Sequence, residues 1–284
     1  MIVGMNDVLH PAREGKYAVG MFNAVTSDMV RGVVEAAEGL RAPIMLSTCE
    51  VFLRYWPMEE LAYYFQFIAK RADVPVCMHF DHGKTEQACL RALELGFTSI
   101  MYDASALPFE ENIRRVKEMA YKAHSVGVQI EAELGRVGDN EGSAEGAEVL
   151  DVPENYYTDP EQARAFVAET GVDALAIAVG NAHGAYKFPP KLDFDRIDAL
   201  AAAVPVPLVL HGGSGIGDDD FRTAIRKGIA KVNIFTDLSV AGGRAAAAAY
   251  SEGKGLADMV LPTVDAVKHA AAAKIRLFGT AGRA

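Results

Sequence analysis

The sequence predicts an α/β fold, a single (β/α)8 TIM barrel with a long loop after its fifth strand and an extra C-terminal helix. Three observations predict it. Short β-rich apolar runs alternate with longer amphipathic ones, the alternation repeats eight times, and 284 residues, 50% of them hydrophobic, can bury one large barrel core. A doubly wound sheet is the alternative, but no GxGxxG follows the first strand and no break in composition divides the chain. The expected domain is therefore one barrel over 1–284.

The strand candidates are 17–22, 43–47, 74–80, 99–102, 128–134, 174–179, 207–210 and 231–235. The helical stretches are 27–40, 58–71, 85–95, 109–124, 160–170, 194–203, 218–227 and 238–250. Several open on capping residues, namely Ser27, Thr85, Asp159 ahead of Pro160, and the run from Asp218 to Asp220. Gly96, Gly127, Gly171 and Gly228 follow helical stretches, as C-terminal caps do. Two segments stand outside the repeat. Residues 135–158, GRVGDNEGSAEGAEVLDVPENYYT, are too long and too rich in glycine and acid for an ordinary βα turn. Attached to the top of a strand, they read as a mobile active-site loop in preference to a disordered insertion. Residues 263–278 read as an extra helix carrying Lys268, Lys274 and Arg276.

A net charge of -10 and a pI near 5.2 argue against nucleic acid as a partner, and an anionic substrate would need a local cationic site against that field. Cys49, Cys77 and Cys89 are an odd number without CxxC spacing, which suggests neither a disulfide framework nor a cysteine zinc site. The opening MIVGMNDVLH lacks the layout of a signal peptide, and no apolar run reaches membrane-spanning length. A cytoplasmic protein without a membrane partner is expected.

The third predicted strand, in the stretch VPVCMHFDHG, ends abruptly in His79, Asp81 and His82. So much ionisable chemistry at the end of a buried strand is costly unless a metal or substrate uses it. Two readings fit this stretch by itself: His82 as a metal ligand with Asp81 pointing the other way as a proton carrier, or a strand end whose Asp caps the next helix. In a barrel, strand ends meet at one face. The fourth strand then brings Asp103, the fifth Glu131 and Glu133, the sixth Asn181 to Gly184, the seventh His211 to Gly215, and the eighth Asn233 and Thr236. Three of the 7 histidines, His82, His183 and His211, fall at strand tops, which suits a catalytic Zn2+ with an open coordination position. His10, His124 and His269 are expected on the surface or on helices, and His79 as a satisfied interior histidine. Gly212, Gly213, Ser214 and Gly215, with the turn after Asn233, lie where barrels bind phosphate through backbone N–H groups, and Lys187 would add positive charge.

Taken together, HFDHG, AELGRVG, GNAHGAYK, LHGGSGI and KVNIFTDL, in this order at strand ends, resemble the class II (zinc-dependent) fructose-bisphosphate and tagatose-bisphosphate aldolase family. The resemblance runs from GKYAVGMFN to RLFGTAG. It implies a (β/α)8 barrel in which His82, His183 and His211 hold Zn2+, with Glu133 and Asp103 at an alternative metal position or around the ligands. It further implies Asp81 as acid/base and Glu141 as the second proton-transfer carboxylate. Gly184, Lys187, Gly212, Ser214 and Thr236 would hold phosphate, with a monovalent cation such as Na+ or K+. Asn233 would contact the substrate's hydroxyl and carbonyl end, and Asn23 would join the substrate site. The implied reaction is reversible cleavage of a phosphorylated ketose to dihydroxyacetone phosphate and an aldehyde through a zinc-stabilised ene-diolate. The resemblance also implies a homodimer or homotetramer whose partner is a small phosphorylated sugar. The alternatives are an aldolase for a phosphorylated deoxy-keto sugar acid of inositol breakdown, a zinc-dependent sugar epimerase, or a noncatalytic scaffold.

The chain departs from that family at three places. Phe235 stands where fructose-bisphosphate members usually carry Asp, Cys49 where Ser or Thr is usual, and CEVFLRYW replaces a small Gly-rich turn. Phe52, Tyr55 and Trp56 either pack or reshape the sugar pocket.

Overall fold

The computed structural model describes residues 1–137, 156–182, 191–251 and 253–284, and among these nine parallel strands form where the apolar alternation predicts eight. The strands are β1 (Ile2–Val3), β2 (Val19–Asn23), β3 (Ile44–Cys49), β4 (Val76–Gly83), β5 (Ser99–Tyr102), β6 (Gln129–Leu134), β7 (Ala174–Ile177), β8 (Leu208–Leu210) and β9 (Ile229–Ile234). From β2 onward each strand pairs with the next, and β9 pairs back with β2, so these eight close into a barrel. The extra strand, β1, lies beside the start of β4 with Ile2 opposite Val76.

Period-two alternation sorts the side chains into two apolar layers. Phe22, Leu46, Met78, Ile100, Ile130, Leu175, Leu210 and Val232 face outward and pack under the helices α2 (Ser27–Leu40), α3 (Met58–Arg71), α4 (Glu86–Glu94), α5 (Phe109–Ser125), α6 (Pro160–Thr170), α7 (Phe194–Ala203) and α8 (Asp218–Lys227). Caps read from the sequence fix several of these starts. The Thr85 hydroxyl accepts from the Ala88 N–H, and the Asp159 carboxylate from those of Glu161 and Gln162. Val19, Met21, Met45, Cys77, Ala174, Ala176 and Val209 face inward at the N-terminal end of the barrel.

That end is closed by α1 (Met5–Gly15), which the sequence reading left unassigned. Pro11 lies on the exposed side of this helix, whose stability comes from the buried face formed by Met5, Val8, Leu9 and Ala12. Met5, Val8 and Leu9 are 0–2% exposed, and burying three such side chains stabilises by roughly 1.5–3 kcal/mol each.

Two further boundaries differ from expectation. The strand predicted to stop at 80 runs on to Gly83, carrying Asp81 and His82 within it. After α9 (Thr236–Ala249), the helix expected over 263–278 spans Leu256–Leu277 as α10 and contains Pro262. Within 135–158, residues 138–155 lie outside the described ones, while the segment's ends meet where the Arg136 N–H donates to the Tyr156 carbonyl at 3.0 Å.

Candidate active site

The inward side chains at the C-terminal ends of the strands are polar, reversing the composition of the layer beneath. Asn23, Asp81, His82, Glu131, Glu133, His211, Lys231 and Asn233 are each at most 7% exposed. Asp81 follows His79 on the inward side of β4, so simple alternation would send His82 outward. It does not. The register of β4 against β5 shifts between Phe80 and Gly83, and His82 takes φ 41°, a left-handed backbone that re-aims its ring inward. Asp81 and His82 therefore reach the same place, which corrects the expectation that they point apart. The ring of His211, just past β8, completes the group: its centroid lies 4.6 Å from that of His82. One donor atom each from Asp81, His82 and His211 lies within 4.8 Å of the others, all three buried.

Each imidazole is held from behind. His82 Nδ1 lies 3.0 Å from Asp103 Oδ2, and that carboxylate also accepts from the Ser105 hydroxyl at 2.7 Å. His211 Nε2 lies 2.9 Å from Glu131 Oε1, and Glu131 Oε2 accepts from Lys231 Nζ at 2.7 Å. Fixing one ring nitrogen in this way presents the other to a shared centre. Glu133 Oε2 approaches that side, 3.1 Å from His211 Nδ1. Two imidazoles and a carboxylate converging in a buried site fit a divalent ion of the zinc kind. His183, the third expected ligand, lies outside the described residues, as do Gly184, Lys187 and Glu141.

Opposing terms set the local protonation. Burial raises the Asp81 carboxyl, but the neighbouring His82, Lys231, His211 and His79 outweigh it and hold Asp81 below its ordinary value. Burial likewise raises Glu131, and Lys231 and His211 more than offset it, so that group too is held low. Burial and then Lys231 push the His79 imidazole down to about 3. His79 is therefore neutral, with Nδ1 at 2.6 Å from Ser99 Oγ, in keeping with an interior histidine. Burial and His82 push His211 down, while the adjoining Glu131 and Glu133 carboxylates push it up and prevail.

Asp81 is clamped by two amides. Asn23 Nδ2, from β2, donates to Oδ2 at 2.8 Å, and Asn233 Nδ2, from β9, donates to Oδ1 at 3.2 Å. Beside this pair, the turn after β8 touches the end of β9. The Gly213 N–H donates to the Asn233 carbonyl at 3.2 Å, and a Cβ on Gly213 would lie 2.8 Å from that oxygen. Ser214 Oγ accepts from the Asp237 N–H at 3.2 Å, and Gly212 has φ 64°. Thr236 is the first residue of α9, so Gly212, Ser214 and Thr236 gather at a helix N-terminus, where N–H groups favour anions.

The family model for fructose-bisphosphate aldolase class-II matches residues 3–283. The chain belongs to that family. As a class-II aldolase it is an enzyme, an aldehyde-lyase. It is 36% identical to the fructose-bisphosphate aldolase of Staphylococcus aureus (strain Mu50) over 295 aligned residues, covering 100% of this chain and 99% of that one. It is 43% identical to YdjI of Escherichia coli K12 over 270 residues, 94% of each chain. The crystal structure of that YdjI aldolase superposes with a TM-score of 0.90 over 100% of both chains, at 38% identity in the structural alignment. No helix among the described residues of this aldolase is long and apolar enough to cross a membrane.

Sequence reasoning named His82, His211, Asp81, Asp103 and Glu133 but missed Lys231. The signal was available: KVNI alternates Lys231 and Asn233 inward, as QIEAEL does Glu131 and Glu133. A lysine on a buried inward face needs a carboxylate opposite it. Cys49, Cys77 and Cys89 are all buried.

Proposed function

We propose that this aldolase reversibly cleaves a phosphorylated ketose to dihydroxyacetone phosphate and an aldehyde, with Zn2+ as its metal. The convergence of Asp81, His82 and His211 within 4.8 Å carries the reading. His82 and His211 would hold the ion together with His183, while Asp103 and Glu133 orient the imidazoles or hold an alternative metal position. When bound, Zn2+ supplies the positive charge that stabilises the electron pair left on C3 as the C3–C4 bond breaks.

Asp81, oriented by Asn23 and Asn233, takes the proton of the C4 hydroxyl, and C4 leaves as the aldehyde carbonyl. Glu141 returns a proton to C3 from the loop, which excludes water when closed. Gly184, Lys187, Gly212, Ser214 and Thr236 bind the C1 phosphate, accompanied by Na+ or K+, and Asn233 meets the hydroxyl and carbonyl end of the substrate. The enzyme works in the cytoplasm as a homodimer or homotetramer, without nucleic acid or membrane as partner.

The test is release of dihydroxyacetone phosphate from a panel of ketose phosphates, with and without chelator. Asp81→Ala should keep its zinc and lose cleavage by at least about a hundredfold, the lower end for a general base. His211→Ala should lose both, and so should His183→Ala. Full turnover by Asp81→Ala, or chelator-insensitive cleavage by the native chain, would refute the assignment.

A further inference from the structure

We infer that Phe52 and Phe235 form the wall of the pocket that selects the aldehyde half of the substrate, and that this half is an uncharged polyol chain, not a phosphate-terminated fragment. The inference rests on the aldolase reading above and narrows its substrate. Phe52 ends the single 3₁₀ turn Glu50–Phe52 that follows β3, and Phe235 follows β9. Strand β2 lies between β3 and β9, yet the two ring centroids are 4.2 Å apart. The rings therefore meet across the top of β2, whose last residue, Asn23, donates to Asp81.

Their height follows from the strands. Cys49, three residues before Phe52, is in register with Asp81, and Asn233, two residues before Phe235, donates to Asp81. Two extended residues span roughly 7 Å, which sets the Phe235 backbone about that far beyond Asn233, toward the opening, and the ring contact brings Phe52 to the same level. Asp81 acts on the C4 hydroxyl, which belongs to the aldehyde half, so the carbons beyond C4 run along this wall. Phe52 is 3% exposed but, among the described residues, joins neither apolar layer of the barrel. Phe235 is half-buried, one side packed against the outer apolar layer and the other against Phe52.

The neighbouring aromatics do something else. Trp56 packs on Tyr64 at 5.6 Å and donates to Glu60 Oε2, away from the opening, and Tyr55 is 57% exposed beneath the Arg54 guanidinium. Aromatic faces carry negative charge density: they attract polarised C–H groups, whereas a phosphate set against them gives up water for repulsion. A chain of CHOH groups offers C–H to the rings and hydroxyls to the solvent side.

Initial rates of the zinc-loaded full chain would be compared on fructose 1-phosphate and longer ketose 1-phosphates, and on their terminally phosphorylated counterparts. The native enzyme should show at least about tenfold higher kcat/KM on the neutral-ended ketoses, one aromatic contact being of that order. Phe235→Ala should lower their kcat/KM about tenfold through KM and bring the two classes within about threefold, with Phe235→Leu, which keeps the packing volume, falling between. Preference of the native enzyme for bisphosphates, or equal losses on both classes in the variants, would overturn the wall and leave the aldolase reading standing. Cleavage of neither class would overturn both.

Discussion

Replacing Lys231 with methionine tests the network that holds His211. Lys231 Nζ and Glu131 Oε2 are 2.7 Å apart and both side chains are 0% exposed. At that distance, and at an effective dielectric of about 20, the gross attraction is about 6 kcal/mol, most of which offsets the cost of taking both charges out of water. Methionine fills nearly the same volume but strands the carboxylate, so Lys231→Met should lower stability by about 3–5 kcal/mol. At about 2–4 °C per kcal/mol for a chain of this size class, the melting temperature should fall by roughly 10 °C. The Glu131 contact to His211 Nε2 at 2.9 Å adds a second readout. A carboxylate left to seek another partner orients the ring less well, and zinc affinity should drop about 10- to 100-fold. The assay is chemical denaturation in chelator, paired with competitive zinc titration. Lys231→Met/Glu131→Leu should regain most of the lost stability but not the zinc affinity. A loss below about 1 kcal/mol with unchanged zinc binding would refute the reasoning, since a buried pair cannot be broken at the cost of an exposed one.

Gly213→Ala should destabilise by about 1–3 kcal/mol, because its Cβ would fall 2.7 Å from Val232 Cγ1 and 2.8 Å from the Asn233 carbonyl; urea denaturation measures it. The same variant should raise KM more than Phe235→Leu does for the C1 phosphate end, read with dihydroxyacetone phosphate as a competitive ligand. In the metal-free protein, Glu131 and Asp103 are both held below the ordinary carboxylate range, against burial, by Lys231 and His82 respectively. Depressed folded values give stability that is complete above the unfolded value and is lost as pH falls through it toward the folded one, so midpoints should drop steadily below about pH 4.5. Glu131→Leu paired with Lys231→Met should flatten that limb.

The barrel was legible because its two periodicities are local: outward apolar residues every second position in strands, amphipathic stripes in helices. Length hid what it missed. Two residues, Ile2 and Val3, are too few to show a period, and Pro11 and Pro262 sit inside helices that tertiary burial stabilises despite them. The site was legible wherever a residue's type alone signalled chemistry, as with His82, His211 and Asp81. Their arrangement was not, because the left-handed backbone at His82 depends on pairing with β5, and the support of His211 joins Glu131 to a lysine 100 positions away. Of the aromatics in CEVFLRYW, no spacing rule separates Phe52, which turns to Phe235, from Trp56, which turns to Tyr64.

The helix packed under the barrel has a kinetic consequence. Met5, Val8, Leu9 and Ala12 stopper the floor of the barrel, so among the described residues no passage is left at that end. On the proposed cleavage of a ketose phosphate, the two fragments should then leave by the route they came, the outer one first. In the synthetic direction the order would reverse: the proposed triose phosphate, seated deepest, should arrive before the aldehyde, and an excess of aldehyde should obstruct its entry.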